Sequence, residues 1–343
     1  MAKTICFFNN KGGVGKTTTS TNVAAGLSQF SDKRVLYIDL DPQCNSTLVI
    51  LGEEKVTENY WSNPDDAKTI LDVVEPILDD EPSIFFEPNV INKSFNRFGV
   101  DLIMGHPKLS TLEDRLGEAW VKIQGGDIGP IRKTNWCYDL LKKVENQYDY
   151  IIIDLGPSLG ALNRSALIAC DYFITPMSID VFSIVGLRNI HSWFGGWFKK
   201  YERGIENLTI DRGENFLDRF NIKTELTIDK GCLGYTSQSY SSRKNSNGEK
   251  RPTKAYESIL AQFDEEFLSN IGPFFHSSTG GNPVLGQVPN MFSIAPIAQK
   301  NCSPIRGLKS NDGIFGAHYS QAKEYAKIFD GISQELVNRL END

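Results

Sequence analysis

The stretch Lys11-Gly12-Gly13-Val14-Gly15-Lys16-Thr17-Thr18 decides how this chain is read. It follows an apolar run at residues 4–8 that suits a buried strand, and it opens a helical pattern over residues 17–30. Glycines at this point let successive backbone N–H groups turn inward around phosphate oxygens, where a Cβ would intrude. The start of the helix adds about half a positive charge at the same place. Lys16 supplies a full charge for the β- and γ-phosphates of a nucleotide, and the Thr17 hydroxyl is placed to ligate Mg²⁺. The pattern GxxxxGK[ST] is met except at its first glycine, where Asn10 stands, and a second lysine, Lys11, sits beside it. A dinucleotide-binding fingerprint fails, because Thr18 occupies the place of its third glycine after Gly13 and Gly15.

Further apolar runs suited to buried parallel strands lie at residues 35–38, 100–103, 150–153 and 172–175, and less sharply at 232–235 and 284–288. Helical patterns fall between them at 134–144, 161–169 and 255–268, and an amphipathic stretch at 319–340 is expected to close the fold on the sheet. This alternation predicts an α/β class protein of the P-loop NTPase kind, a twisted, mostly parallel sheet with helices on both faces. The 343 residues read as a single domain, 1–343, long enough to bury a sizeable core.

Composition narrows the setting. With 40% hydrophobic and 23% charged residues the chain is too apolar for disorder. No apolar stretch approaches a membrane span, and residues 1–11 are not expected to act as a signal peptide. Six cysteines without a CxxC pattern indicate reduced thiols and predict a soluble cytoplasmic protein. The net charge of −7 is unevenly spread. Residues 53–87 carry −9, leaving +2 for the rest, and residues 241–254 (SSRKNSNGEKRPTK) carry +4 in a context that spells an exposed loop. A surface that meets a polyanion must therefore be local.

The lysine-bearing loop resembles the deviant Walker A motif of the ParA/MinD ATPase superfamily, most closely the Soj-type partition ATPases. Tyr37-Ile38-Asp39-Leu40-Asp41-Pro42-Gln43-Cys44-Asn45 resembles the second motif, DxDPQxN. Residues 148–154, YDYIIID, with Gly156-Pro157-Ser158-Leu159-Gly160 resemble the Walker B strand and its loop, with Gly156 where the family commonly has proline. Residues 100–106 with Pro107, Leu109, Leu112 and Glu113 resemble the strand and helix between these motifs, and Val288-Pro289-Asn290 and residues 313–317 fit the C-terminal pattern more loosely. Residues 50–95, 195–230 and 240–285 read as insertions on that core.

The resemblance implies an ATPase that binds ATP and Mg²⁺ and works as a homodimer. Phosphoryl transfer needs positioning and charge neutralisation more than covalent chemistry. The phosphates would be held by Lys11, Gly12, Gly13, Val14, Gly15, Lys16, Thr17 and Thr18, and the metal by Thr17, Asp39 and Asp154. The family's pattern makes Asp41 the residue that positions the attacking water, Lys16 a catalytic cation, and Lys11 a second one reaching across the dimer to the partner's phosphates. Such an in-trans cation is worth about 10³–10⁵ in rate. Adenine contacts are expected near Thr236 and from Pro289 and Asn290.

ParA-type dimers bind DNA without sequence preference, which requires several Lys/Arg able to meet phosphates and release counterions. The candidates are Arg243, Lys244, Lys250, Arg251 and Lys254, followed by Arg188, Lys199, Lys200 and Arg203, with Tyr235 and Tyr240 nearby. A ParB-like or adaptor partner is implied as the stimulator of a slow hydrolysis, in a cytoplasmic, nucleoid-associated system that partitions a plasmid, a chromosome region or a protein assembly. With the first strand starting at residue 4, no N-terminal helix-turn-helix is expected, nor operator-specific repression. A MinD-like membrane-positioning ATPase would need a basic amphipathic tail, whereas residues 319–343 hold Lys323, Lys327 and Arg339 against Glu324, Asp330, Glu335, Glu341 and Asp343. An iron–sulfur protein on this core would need cysteines at a dimer axis, and a tyrosine kinase would need a C-terminal tyrosine cluster where only Tyr319 and Tyr325 occur. A synthetase or ligase acting on a small molecule remains the alternative, though Lys11 and the DPQxN run favour the switch.

Overall fold

Strand β1 (Lys3–Phe7) sends Ile5 and Phe7 to one face of a sheet and Cys6 to the other, and all three are fully buried. The computed structural model describes residues 1–62, 69–85, 90–238, 243–244, 250–251 and 254–341; at 61–62, 243–244, 250–251, 254–258 and 260–261 it describes the backbone alone. The other strands are β2 (Val35–Asp39), β3 (Asp101–Ile103), β4 (Tyr150–Asp154), β5 (Tyr172–Ser178), β6 (Cys232–Gln238), the short β7 (Arg243–Lys244) and β8 (Lys250–Arg251), and β9 (Val284–Val288). Seven of them form one sheet in the order β3-β2-β4-β1-β5-β6-β9, and every pairing in it is parallel. β7 and β8 pair only with each other, antiparallel.

A parallel sheet must be covered on both faces, and two apolar layers do so. One face packs against α1 (Lys16–Gln29), α2 (Asn45–Leu51), α12 (Ile294–Lys300) and α13 (Ala317–Glu341). The other packs against α4 (Ile70–Leu78), α5 (Leu109–Lys122), α6 (Ile128–Thr134), α7 (Trp136–Val144), α8 (Ala161–Ala169), α9 (Val181–Arg212) and α11 (Lys254–Ile271). The short helices α3 (Glu53–Thr57) and α10 (Glu214–Leu217) complete the set. α1 and α13 pack closely enough that a Cβ on Gly26 would lie 2.2 Å from the Ser333 Oγ. The Ser333 hydroxyl itself donates to the Val23 carbonyl at 3.0 Å.

The sequence periods place most of these elements within a few residues. The predicted helix at 134–144 is α7, and Asn135 separates it from α6, a helix the periods did not mark. The Asn135 side-chain carbonyl accepts from the Tyr201 hydroxyl at 3.0 Å and the Lys223 N–H at 2.9 Å, tying the α6–α7 junction to α9 and to the chain beyond α10. Strands β5 and β6 each run three residues past their predicted ends at 175 and 235. The acidic stretch 53–87 is partly helical; Thr69 and Asp72 form a capping box that opens α4, while residues 63–68 and 86–89 lie outside the described residues.

Because the strands are parallel, their C-terminal ends share one edge, where ligands of open α/β sheets bind. Register places Phe7, Asp39 and Asp154 side by side at that edge. The loop Phe8–Gly15, the Asp41 turn and the start of α9 are thereby gathered from positions up to about half the chain apart.

Candidate functional site

Two glycines of the Lys11–Thr18 loop, Gly13 (φ 73°) and Gly15 (φ 74°), sit in the left-handed region that favours glycine. Gly15 is also the N-cap of α1, so the loop's N–H groups and the helix start converge. Together with Asp41, Gln43 and Asn45 across from them, these residues line a cavity of about 570 Å³. Leu48 and Val49 of α2 give it an apolar wall, and Gln299 and Lys300 at the end of α12 bound its far side.

Lys16 is buried, with its Nζ 3.3 Å from the Lys11 carbonyl. Burial lowers its pKa, against the Asp154 and Asp41 charges, which raise it. The Thr17 hydroxyl donates to Asp154 Oδ2 at 2.8 Å, and Asp154 Oδ1 is buried without a hydrogen-bond partner. Burial and the nearby Asp39 push Asp154 up to about 7. Asp39 is pushed up to about 6, again chiefly by burial, although Thr47 offsets part of it. This crowd of hard oxygen donors, one of them unpartnered, fits a divalent cation such as Mg²⁺. Thr17 and Asp154 have the donor atoms for it. Asp39 is more committed: Oδ2 accepts from the Thr47 N–H and hydroxyl at 2.8 and 2.6 Å, and Oδ1 from the Asp41 N–H at 3.2 Å. It therefore braces the Asp41 turn from behind, and Asp41 in turn accepts the Gln43 N–H at 2.9 Å.

Lys11 does not line this cavity. Its Nζ lies 2.5 Å from Asp180 Oδ2, 3.0 Å from the Ser178 Oγ and 3.4 Å from the Ser183 Oγ, at the very start of α9. Asp180 is the N-cap of α9, its Oδ1 accepting the Ser183 N–H at 2.9 Å. Burial works to raise the Asp180 pKa, but the bonds from Lys11, the Ser183 N–H and Ser178 hold it below the usual carboxylate value. The pair is partly solvated, with side-chain exposures of 31% and 40%.

The expected adenine contacts are placed differently. Thr236 is buried within β6, and neither it nor Pro289 or Asn290 lines the cavity; Asn290 Oδ1 accepts from the Phe292 N–H at 3.3 Å. Gln238 at the end of β6 lies closer, since a Cβ on Gly15 would sit 1.7 Å from its Nε2. Gln238, Gln299 and Lys300 went unnoticed in the sequence; continuing the β6 pattern to residue 238 is the one signal that points to the first.

Of the basic candidates, Arg243 pairs with Arg251 and Lys244 with Lys250 across the two-stranded ribbon, and Lys254 opens α11. The rest of the 241–254 loop, and Tyr240, lie outside the described residues. Arg188 is engaged by Glu266 of α11 through two bonds, one of them Nε to Oε2 at 3.1 Å, so its charge is already met. Tyr235 is a core residue whose hydroxyl donates to Asp264 at 2.6 Å, and it presents no ring to a surface. Lys199, Lys200 and Arg203 are exposed along α9. All six cysteines are free thiols, and no helix among the described residues is long and apolar enough to cross a membrane.

Comparison with known proteins matches this geometry to a family. The model of the AAA domain family AAA_31 matches residues 2–206, more than half of the chain. The chain is 33% identical over 188 residues to a virulence-plasmid ParA family protein of Chlamydia psittaci, covering 55% of this chain and 61% of that one. It is 34% identical over 194 residues to the sporulation initiation inhibitor protein Soj of Bacillus subtilis, covering 55% and 64%. The matches thus span less than two thirds of these relatives' own lengths. Among solved structures, a protein from Corynebacterium diphtheriae superposes with a TM-score of 0.75 at 29% identity, covering 99% of this chain and all of that one. A plasmid partition protein from Borrelia burgdorferi, bound to AMPPNP, shares the fold with a TM-score of 0.57 at 18% identity, over 99% of this chain and all of that one.

Proposed function

Since this chain belongs to the ParA/MinD superfamily of P-loop ATPases through its AAA domain, we propose that it is an ATP-dependent dimerising switch that partitions or positions a DNA or protein cargo. One observation carries the reading: Lys16, Thr17 and Asp41 line one crevice, Thr17 is bonded to the buried Asp154 behind it, and Lys11 stands outside the crevice on a partly exposed ion pair. In this reading Lys16 and the loop N–H groups hold the β- and γ-phosphates. Thr17 and Asp154 hold Mg²⁺, which screens phosphate charge, and Asp39 fixes the turn behind it. Asp41 orients the attacking water. Lys11 leaves Asp180 to reach the phosphates held by a second copy, so that nucleotide and dimer stabilise one another.

The dimer would then expose basic residues to nonspecific DNA, with a ParB-like or adaptor protein stimulating hydrolysis over the nucleoid. Arg243, Lys244, Lys250, Arg251 and Lys254 are the proposed contacts, and the exposed Lys199, Lys200 and Arg203 a second set. The test is sedimentation with ATP, ADP and no nucleotide, alongside ATPase rates with and without DNA. Lys11→Ala should retain nucleotide binding and lose the ATP-dependent dimer. Normal ATP-driven dimerisation in that variant would sink the proposal. Charge reversal of Arg243, Lys244 and Arg251 to Glu should abolish salt-sensitive DNA binding; unchanged binding moves the surface to α9. A rate indifferent to DNA but responsive to a small metabolite would replace the switch by a synthetase.

A further inference from the structure

Asp41 and Asp154 act together only if the chain between β4 and α8 keeps its place, since Asp154 begins that loop and Gly156 lies against Asp41. A Cβ on Gly156 would be 3.1 Å from Asp41 Oδ1 and 3.5 Å from the Pro42 ring. Packing does not hold the loop from its outer side. There a groove of about 510 Å³ runs between α5 and the loop, lined by Leu109, Glu113, Pro42, Pro157 and Leu162 among others. Within the loop, Asn163 of α8 donates to the Gly156 and Ser158 carbonyls at 2.8 Å each, which ties the loop to its own helix but not to the rest of the fold.

Besides the packing of α8 on the sheet, the polar tie to the rest comes from Glu113 on α5. One of its carboxylate oxygens accepts the Ala161 N–H, and the other accepts the Leu162 N–H at 2.9 Å. These are the first N–H groups of α8, which have no partner inside the helix and favour a negative charge. Gly160 makes the approach possible, because a Cβ there would meet the Glu113 carboxylate at 2.2–2.7 Å. Arg164 of α8 strengthens the same corner: it donates to the Leu159 carbonyl at 3.2 Å and feels the Glu113 charge.

We propose that Glu113 is a positioning residue for nucleotide hydrolysis: it struts the groove, clamps the start of α8, and so holds Gly156 and Asp41 in register with Asp154. This rests on the ATPase reading above. In that reading the phosphates are held chiefly by the Lys11–Thr18 loop, and the Glu113 carboxylate bonds to α8 instead, so loss of the strut separates turnover from binding. Displacement of reacting groups by about 1 Å costs on the order of 10²-fold in rate. Glu113→Ala should therefore lower the single-turnover rate about 10- to 100-fold with nucleotide affinity within about threefold of wild type. Glu113→Gln keeps one acceptor oxygen and should fall between. Gly160→Ala drives the carboxylate off α8 without altering it and should match Glu113→Ala.

Four measurements on the full chain with Mg²⁺ test this: fluorescent-nucleotide affinity, single-turnover hydrolysis, melting temperature, and amide hydrogen exchange with AMPPNP bound. Exchange should rise at residues 161–162 and, through Gly156, at residues 41–44. Unchanged hydrolysis in both Glu113→Ala and Gly160→Ala overturns the proposal, as does a parallel fall of rate, affinity and melting temperature, which would mark a merely structural contact. A wild-type chain that does not hydrolyse ATP defeats the ATPase reading instead. The coupling is then still decided by exchange: no change at 41–44 in either variant refutes it.

Discussion

Replacing Asp180 by Asn isolates the hold on Lys11. The asparagine keeps an oxygen for the Ser183 N–H, so the α9 cap, worth about 1 kcal/mol, survives while the negative charge facing Lys11 is lost. With side-chain exposures of 31% and 40%, the ion pair belongs with solvated pairs, which contribute about 0.2–1 kcal/mol. A dimer that needs both lysines must release two such pairs. Removing them should favour association by about 0.4–2 kcal/mol, or about 2- to 30-fold in dissociation constant. Sedimentation velocity with AMPPNP and Mg²⁺ over a salt series reads this directly, and the gain should shrink at high salt as the pair in the wild type weakens. In a Lys11→Ala background, where the ATP-dependent dimer is expected to be lost, the same substitution should not restore it. A dissociation constant that is unchanged or weaker in Asp180→Asn would refute the idea that this contact competes with the dimer.

The buried carboxylates give a pH dependence with a defined sign. Asp154 and Asp39 have folded values of about 7 and about 6 against an ordinary 3.8, so the folded chain holds protons that the unfolded chain releases. Their contribution to stability is fully present below about pH 4 and is lost as pH rises from there through about 6–7, on the order of 3–4 kcal/mol for each carboxylate. The melting temperature of the metal-free wild type, minus that of Asp154→Asn, should fall across this window, and Mg²⁺ with nucleotide should flatten it; a difference independent of pH would contradict the burial argument. In the packing of α1 on α13, Gly26→Ala should destabilise by about 1–3 kcal/mol through overpacking against Ser333. Adding Ser333→Gly should restore most of that loss in a urea titration.

How much was legible follows from the range of each contact. Buried parallel strands announce themselves as local apolar runs, so β1, β2 and β4 and the phosphate loop between β1 and α1 could be read directly. Asp154 was legible for the same reason, being the first charge after the run Tyr150–Ile153. The partner of Lys11 was not, because Asp180 is 169 residues away and meets it only once β1 and β5 are neighbours. Glu113 was noticed as part of a similarity, but its grip on α8 spans 48 residues and crosses a groove that no local pattern records. Arg188 looked like a free cation until α11 brought Glu266 to it. Local chemistry was written locally; the pairing of distant charges depended on which strands became neighbours.

The length of α9 has a mechanical consequence. Its 32 residues make a rod of about 48 Å, beside a strand, β5, of 7 residues and about 23 Å. Lys11 holds this rod at one tip, and buried side chains from Ile184 to Leu208 seat the rest of its length on the core. Lys199 to Arg203 stand about 30 Å from that tip, so a tilt of roughly 10° would carry them through about 5 Å. That travel exceeds the spacing of charges along one strand of a duplex, about 3.4 Å. Where those basic residues stand is thus set by the packing of the whole helix, with the Lys11 ammonium acting on its first turn alone.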